Sequence, residues 1–325
     1  MPETVWLNGR FLTREEARLS AFDAAFQHAV GLFETMLACE GRIFRVESHM
    51  ARLARSAREL GLSDALRTAP LAEAAQNAVD YSELARNDGR ARVRLTITGG
   101  DLQLLGARPP GQPTGLEPSV LIHVQPAMRY PDEMFSRGVS AIIAEEKANP
   151  FDPTAGHKTI NYWWRLRALQ RAAVAGAGEA IILQITNHVC GGCVSNLFVV
   201  RDGRLLTPIA RGEETGGSGG VGTSARNGGA PGHGIALPSP VLPGVTRAAV
   251  IEFAGERKLP VEQRMLTITD LLDADELFLT NASWGILPVV RIERKEIGRG
   301  SAAGTPGEIT LDLRRRWLRA LKDEP

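Results

Sequence analysis

The chain has 325 residues, long enough for two domains and a sizeable core. Its 38 Lys and Arg against 37 Asp and Glu leave a formal net charge of +1, which excludes a general electrostatic attraction to nucleic acid or anionic lipid. The opening "MPETVWLNGRFLTREE" has neither a basic n-region nor an apolar h-region, no stretch approaches the roughly 20 apolar residues of a membrane span, and three scattered cysteines make no secreted disulfide framework. A cytoplasmic protein with reduced thiols is expected.

In "VWLNGRFL" the Asn8-Gly9 pair sits between two short apolar runs and suits a type I′ hairpin turn, where both central residues need positive φ. "ESHMARLARSARELGL" spaces Met50, Leu53, Ala57 and Leu60 as one helical face and stops at Gly61. "RVRLTITGG" alternates as a strand, so the first part is mixed α/β. The proline- and glycine-rich Gly106–Pro118 marks the domain boundary, giving a small domain over 1–118 and a larger one over 119–325. Beyond it, "SVLIHVQP" reads as a strand, and "KTINYWWRLRALQRAAVAGAG" as one long helix opened by Lys158, with Tyr162, Leu166, Leu169 and Ala173 on a shared face. "EAIILQI" is a continuous apolar strand, and "LFVVRDGRLLTP" a hairpin turning at Asp202-Gly203. Residues 211–240 hold ten glycines in thirty positions and little to bury, so a flexible surface insertion is expected there.

Three of these segments can carry chemistry. A lysine beside an aromatic run and partly removed from water has a lowered pKa, so the amine of Lys158 can attack an aldehyde and form a Schiff base. "VLPGVTRAAVIEFA" places Gly244, Val245 and Thr246 at a helix entry, where unpaired N–H groups favour an anion. Arg52 supplies a permanently charged, bidentate partner for a phosphate. The bland counterparts are a solvated lysine, a helix cap and a solvated arginine. Cys190 and Cys193 form a Cys-x-x-Cys, but zinc wants four ligands and no second pair appears, so no metal is expected and small packing residues in a tight loop are the simpler reading.

In chain order, "FDAAFQHAVGLFETM", "GRIFRVESHMARLARSARELGL", "KTINYW", "EAIILQI", "SNLFVVRDGRLLTP", "LPGVTRAAVIEFA" and "ADELFLTNASWGILPVV" resemble the fold-type IV enzymes that use pyridoxal 5′-phosphate (PLP). These are branched-chain aminotransferases, D-amino acid aminotransferases and aminodeoxychorismate lyases. The resemblance implies an α/β (α+β) fold, with a small N-terminal α/β domain, a larger C-terminal pseudobarrel, an amino-acid-like substrate and a homodimer. It puts Lys158 on the Schiff-base lysine and general acid/base, and Arg52 on the arginine that grips the cofactor phosphate. It puts Val245 and Thr246 on the helix-start residues that complete the phosphate cup, and Tyr162 on the tyrosine that bonds the cofactor's phenolic oxygen. Asn281 and Ala282 fall on the last phosphate loop, where aminotransferases often have threonine and where an Asn-Ala pair is more similar to the lyases. His28 and Arg94 are the candidates for a substrate carboxylate, with Arg92 an open alternative.

One position departs from the pattern. The family's acidic residue, five before the asparagine of "SNLF", falls on Gly191. In relatives it pairs with the pyridine nitrogen and helps the ring accept electrons. A charge-assisted hydrogen bond of that kind contributes about 1.5–3 kcal/mol, so its loss slows chemistry at Cα by roughly tenfold to several hundredfold. Elimination of pyruvate from 4-amino-4-deoxychorismate ends in an aromatic ring and tolerates a weaker electron sink. A lyase is therefore expected ahead of an aminotransferase of branched-chain or D-amino acids, and both ahead of a relative that has lost PLP chemistry.

Overall fold

The computed structural model describes residues 4–87, 89–100, 118–214 and 237–323. Most of the proline- and glycine-rich boundary, and residues 215–236 of the expected insertion, lie outside them.

The chain falls into two units, the first taking in residues to Arg129, Lys158–Tyr162 and the chain's last residues from Arg319. Its elements are β1 (Thr4–Leu7), β2 (Arg10–Leu12), α1 (Ala24–His28), β3 (Gly31–Cys39), β4 (Arg42–Ile43), α2 (Val46–Glu59), α3 (Thr68–Ser82), β5 (Arg90–Thr98) and β6 (Val120–Pro126). Asn8 and Gly9, at φ 46° and 91°, turn β1 into β2 as the dipeptide requires. The described strands form one antiparallel sheet in the order β2-β1-β6-β5-β3-β4. Alternation along β5 sends Ala91, Val93, Leu95 and Ile97 into a core with Met50, Leu53 and Ala57 of α2 and Leu71, Ala75 and Val79 of α3. Each large aliphatic side chain buried there contributes about 1.5–3 kcal/mol. The other face of β5 carries Arg92 and Arg94. The division expected at 118/119 falls just before β6, and β6 is hydrogen-bonded between β1 and β5, so the first unit continues to Arg129.

The second unit holds α4 (Glu133–Ser136), β7 (Val139–Ala148), α5 (Trp163–Val174), β8 (Glu179–Gln184), β9 (Val189–Gly192), β10 (Asn196–Arg201), β11 (Arg204–Thr207), α6 (Val245–Glu256), β12 (Val261–Gln263), α7 (Ile268–Leu272), β13 (Glu276–Asn281), β14 (Gly285–Ile292) and β15 (Lys295–Glu296). Its described strands run β12-β11-β10-β13-β14-β7-β8-β9, with β15 beside β14. The sheet is mixed: β7 pairs in parallel with both β8 and β14, while β10 and β13 are antiparallel. Every residue of β8 is buried, as its unbroken apolar run requires. The mixed α/β class read from the sequence holds in both units. No described helix is long and apolar enough to cross a membrane.

The long helix needs correction. It starts at Trp163, so Lys158 does not open it and Tyr162 is not on its face. Lys158 lies instead in an extended segment along the edge of β3: Phe33 N–H donates to the Lys158 carbonyl at 2.9 Å, and Ile160 N–H to the Gly31 carbonyl at 3.1 Å. These long-range backbone bonds override the local helical pattern. The helix buries Ala168 and Ala172, while Leu166 is exposed.

Candidate active site

In the first unit, β3 is buried at every residue but Thr35 and carries one carboxylate, Glu34. Burial alone would cost an unpaired carboxylate several kcal/mol. Glu34 accepts from Arg52 Nε at 2.9 Å and Arg52 Nη2 at 2.5 Å, and lies 2.8 Å from His49 Nδ1. Burial pushes the Glu34 carboxyl up, but Arg52 and His49 outweigh it and hold it near 2, so it stays ionised at neutral pH. The helical spacing of α2 puts His49 and Arg52 on the face that meets β3, with Met50 and Leu53 packing beside them. The Arg52 guanidinium is thereby held in one orientation.

At the end of β3, Phe33 gathers three groups. Lys158 Nζ lies 4.4 Å from its ring centroid, Arg94 Cζ lies 3.8 Å from it, and Tyr162 meets it edge-on at 5.2 Å between centroids. Burial lowers the pKa of Lys158, only partly opposed by Tyr162, while Arg52 lowers it further. An amine held in this way spends more time unprotonated and nucleophilic than a surface lysine. The structure thus brings together Lys158, Tyr162, Arg94 and Arg52 with Glu34. His28 stands apart, exposed at the last residue of α1, with no hydrogen bond or ion pair to this group among the described residues.

In the second unit, Val245 and Thr246 are the first residues of α6, buried, and precede the first helical bond from Ala248 N–H to the Gly244 carbonyl. Gly244 must lack a side chain, because a Cβ there would collide with Asn196 Oδ1. Asn196, whose amide donates to the Leu242 carbonyl, is paired across the sheet with Thr280. Thr280 is 1 % exposed and its hydroxyl has no hydrogen-bond partner among the described residues. A buried hydroxyl without a partner and a helix start with spare N–H groups together form donors that a bound anion can satisfy. The Asn281 side chain is occupied otherwise: its Oδ1 accepts from Ser283 and Trp284 N–H, shaping the turn in which Ala282 sits.

The loop around Gly191 is built without room for a side chain. Gly191 has φ +141°, and a Cβ there would lie 2.7 Å from the Ser195 carbonyl oxygen. Nearby, the Glu179 carboxylate accepts from the N–H groups of Ala180, Cys193 and Val194 at 3.1, 3.2 and 3.4 Å and from the Ser195 hydroxyl at 3.0 Å. These bonds occupy both oxygens, so Glu179 ties the loop together, even though burial raises its pKa. Gly191→Ala is expected to destabilise the protein by about 2–3 kcal/mol, through backbone strain and the clash with Ser195. A thermal melt of the variant overlaying that of the wild type would contradict this geometry.

Cys190 and Cys193 both sit in an aliphatic cluster with Ala180, Ile182 and Ala210. Burial pushes the Cys190 thiol up to about 12 and Cys193 higher still, and Cys193 Sγ donates to the Ala180 carbonyl at 3.5 Å. Such thiols pack rather than react.

Sequence reasoning overlooked Glu34, His49 and Thr280. Glu34 had a signal, since one carboxylate inside the apolar run "GLFETMLAC" needs a buried cation. Thr280 had none, because only the sheet register sets it opposite Asn196.

Comparison with known proteins bears on this arrangement. The D-alanine aminotransferase of Bacillus licheniformis is 27% identical over 310 residues, covering 95% of this chain and 94% of its own. Among solved structures, the T.th. branched-chain amino acid aminotransferase with pyridoxamine 5′-phosphate superposes with a TM-score of 0.79 at 26% identity, covering 100% of this chain and 96% of its own. The 4-amino-4-deoxychorismate lyase of Pseudomonas aeruginosa superposes at 0.74 and 25% identity, covering 98% and 99%. Residues 31–217 and 232–292, which contain all of the clusters above, match the amino-transferase class IV family, and the chain belongs to it.

Proposed function

We propose that this enzyme uses pyridoxal 5′-phosphate to eliminate a leaving group from an amino-acid-like substrate, in the manner of a 4-amino-4-deoxychorismate lyase. The residues fit the cofactor. In the first unit Lys158 offers an amine with a lowered pKa; in the second unit, taken by itself, Thr280 offers a buried hydroxyl with no hydrogen-bond partner among the described residues, and the start of α6 offers N–H groups at Val245 and Thr246. Arg52, fixed by Glu34, would hold the phosphate as a rigid fork, and Ala282 would offer only its backbone N–H.

When bound, the cofactor supplies an aldehyde carbon for Lys158 and a ring that takes up the electron pair released at the substrate Cα. Lys158 then holds and returns the proton at Nζ. Its position against Phe33 excludes water from one side of the amine, and Tyr162 beside the same ring stabilises its charged form. Arg94, on that ring as well, is placed to orient a carboxylate.

The observation that carries elimination is Gly191. At φ +141° with Ser195 closing over it, this position cannot present the carboxylate that relatives aim at the pyridine nitrogen, and Glu179 is engaged with the loop. An aromatic product offsets a weaker electron sink, whereas amino transfer has no such driving force. Amino transfer is the second reading, supported by the aminotransferases among the similar proteins. The purified, PLP-loaded protein is expected to release pyruvate and 4-aminobenzoate from 4-amino-4-deoxychorismate with no keto acid present. Turnover that appears only when a keto acid is supplied would replace this reading with amino transfer.

A further inference from the structure

We infer that Arg247 is a positioning residue for cofactor binding, locking the first turn of α6 where its N–H groups can hold the phosphate. The inference rests on the reading of this helix start as the phosphate site.

Arg247 follows Val245 and Thr246 in the first turn of α6, and its side chain is buried. The first helical bond runs from Ala248 N–H to the Gly244 carbonyl, so the Val245 and Thr246 N–H groups stay outside the helical ladder. The guanidinium reaches back to three points of the chain before the helix. Its Nε donates to the Thr207 hydroxyl at 3.2 Å and Nη2 to the Pro208 carbonyl at 3.0 Å, while Nη1 and Nη2 form a fork on Glu213 at 2.7 and 2.8 Å. These anchors are themselves fixed. The Thr207 hydroxyl donates to the Leu197 carbonyl of β10 at 2.8 Å, and Glu213 Oε2 also accepts from Ala210 N–H at 2.8 Å. One side chain therefore ties the start of α6 to the end of β11 and to the segment that follows it.

Stability alone does not account for an arginine here. A cation in the first turn opposes the helix dipole, where an acidic residue is favoured, and α6 has no acidic residue there. Taking a guanidinium out of water is costly even when it is paired, and apolar residues of similar volume often stabilise such a place as well or better. With Glu213 balancing the charge, what the fork supplies is geometry. A planar guanidinium bonded to three separate groups sets the rotation and depth of the helix end. Asn196 steadies the approach to the helix in the same way, donating to the Leu242 carbonyl at 2.8 Å. Hydrogen bonds weaken steeply with displacement and misalignment, so N–H groups on an unanchored turn would grip a phosphate less well.

The test compares PLP with pyridoxal, which lacks only the phosphate, by calorimetric titration of the full chain freed of cofactor. The wild-type protein is expected to bind PLP about a hundredfold or more tighter. Arg247→Met combined with Glu213→Leu removes the pair without stranding a charge, and should cut that preference about tenfold while pyridoxal affinity stays within about twofold of the wild type. A merely structural role would weaken both ligands alike, or neither. Arg247→Lys keeps the charge but loses the fork, so it should cut the preference about threefold, and it decides the matter if the double variant does not fold. A preference unchanged in a variant with native far-UV circular dichroism, or an equal loss for both ligands, overturns the assignment. If the wild-type protein does not distinguish PLP from pyridoxal, the reading of the helix start as the phosphate site fails. Arg247 is then judged on inorganic phosphate: weaker binding by Arg247→Lys than by the wild type supports its role at an anion site, and equal binding overturns it.

Discussion

Glu34→Ala is expected to cost about 3–5 kcal/mol, because removing one partner of a buried ion pair leaves the other charge uncompensated. Against the 5–15 kcal/mol that stabilises a typical domain, this is enough to bring the first unit close to unfolding. Urea titration at neutral pH checks the value, and Glu34→Gln separates lost charge from lost volume. A double variant, Glu34→Gln with Arg52→Met, should be more stable than the sum of the single changes predicts, since it removes both charges together. The pH dependence has a definite sign. The folded carboxyl is held near 2, below its ordinary 4.5, so its stabilisation is complete above about 4.5 and is lost as pH falls toward 2. The shift corresponds to about 3 kcal/mol, and a wild-type protein equally resistant to urea at pH 3 and pH 6 would show that the pair contributes nothing.

Local signals carried much of the architecture. Asn8-Gly9 and Asp202-Gly203 specify their hairpins because positive φ at both positions is required, and both pairs adopt it. Helix α2 was readable from the spacing of Met50, Leu53 and Ala57, and with it Arg52. What failed depended on partners distant in sequence. Lys158 looked like the first residue of a helix because the aromatic and aliphatic run after it is helical, yet its backbone belongs to the edge of β3. Likewise, Pro118 marked a change of composition, while the sheet that decides the unit's extent takes in β6 beyond it.

The candidate site divides along the same line. Residue types with intrinsic reactivity, Lys158, Arg52 and the start of α6, stand out in the sequence. The residues that set their state do not: Glu34 fixes Arg52 from another element, and the Phe33 ring acquires Lys158 and Arg94 only when strands and edge segment come together. Gly191 is the reverse case. Sequence showed what was missing there, and the backbone supplies the reason: a conformation and a contact with Ser195 that no side chain accommodates. The vacancy is therefore part of how the loop folds, with Glu179 spent on closing it.

Lys158→Ala is expected to abolish the reaction, with kcat/KM falling by about a thousandfold or more, near 4 kcal/mol in the barrier. Under the proposed function two roles would be lost together, covalent attachment of the cofactor and proton transfer at Cα, so the effect is expected to exceed that of any substitution at Arg52 or Tyr162, whose proposed role is only to position the reacting groups. The covalent part has its own signature: the visible absorption of the PLP-loaded protein should be replaced by that of free, noncovalently held cofactor. The proton-transfer part should be partly restored by a small primary amine added to the variant, with the restored rate rising with pH as that amine loses its proton. In the wild-type protein, burial lowers the Lys158 pKa, so covalent uptake of PLP should rise with pH and level off below 10.5, the ordinary lysine value. A Lys158→Ala protein that keeps both its visible absorption and its turnover would remove this residue from the chemistry. Loss of turnover with an unchanged absorption would instead assign it proton transfer alone.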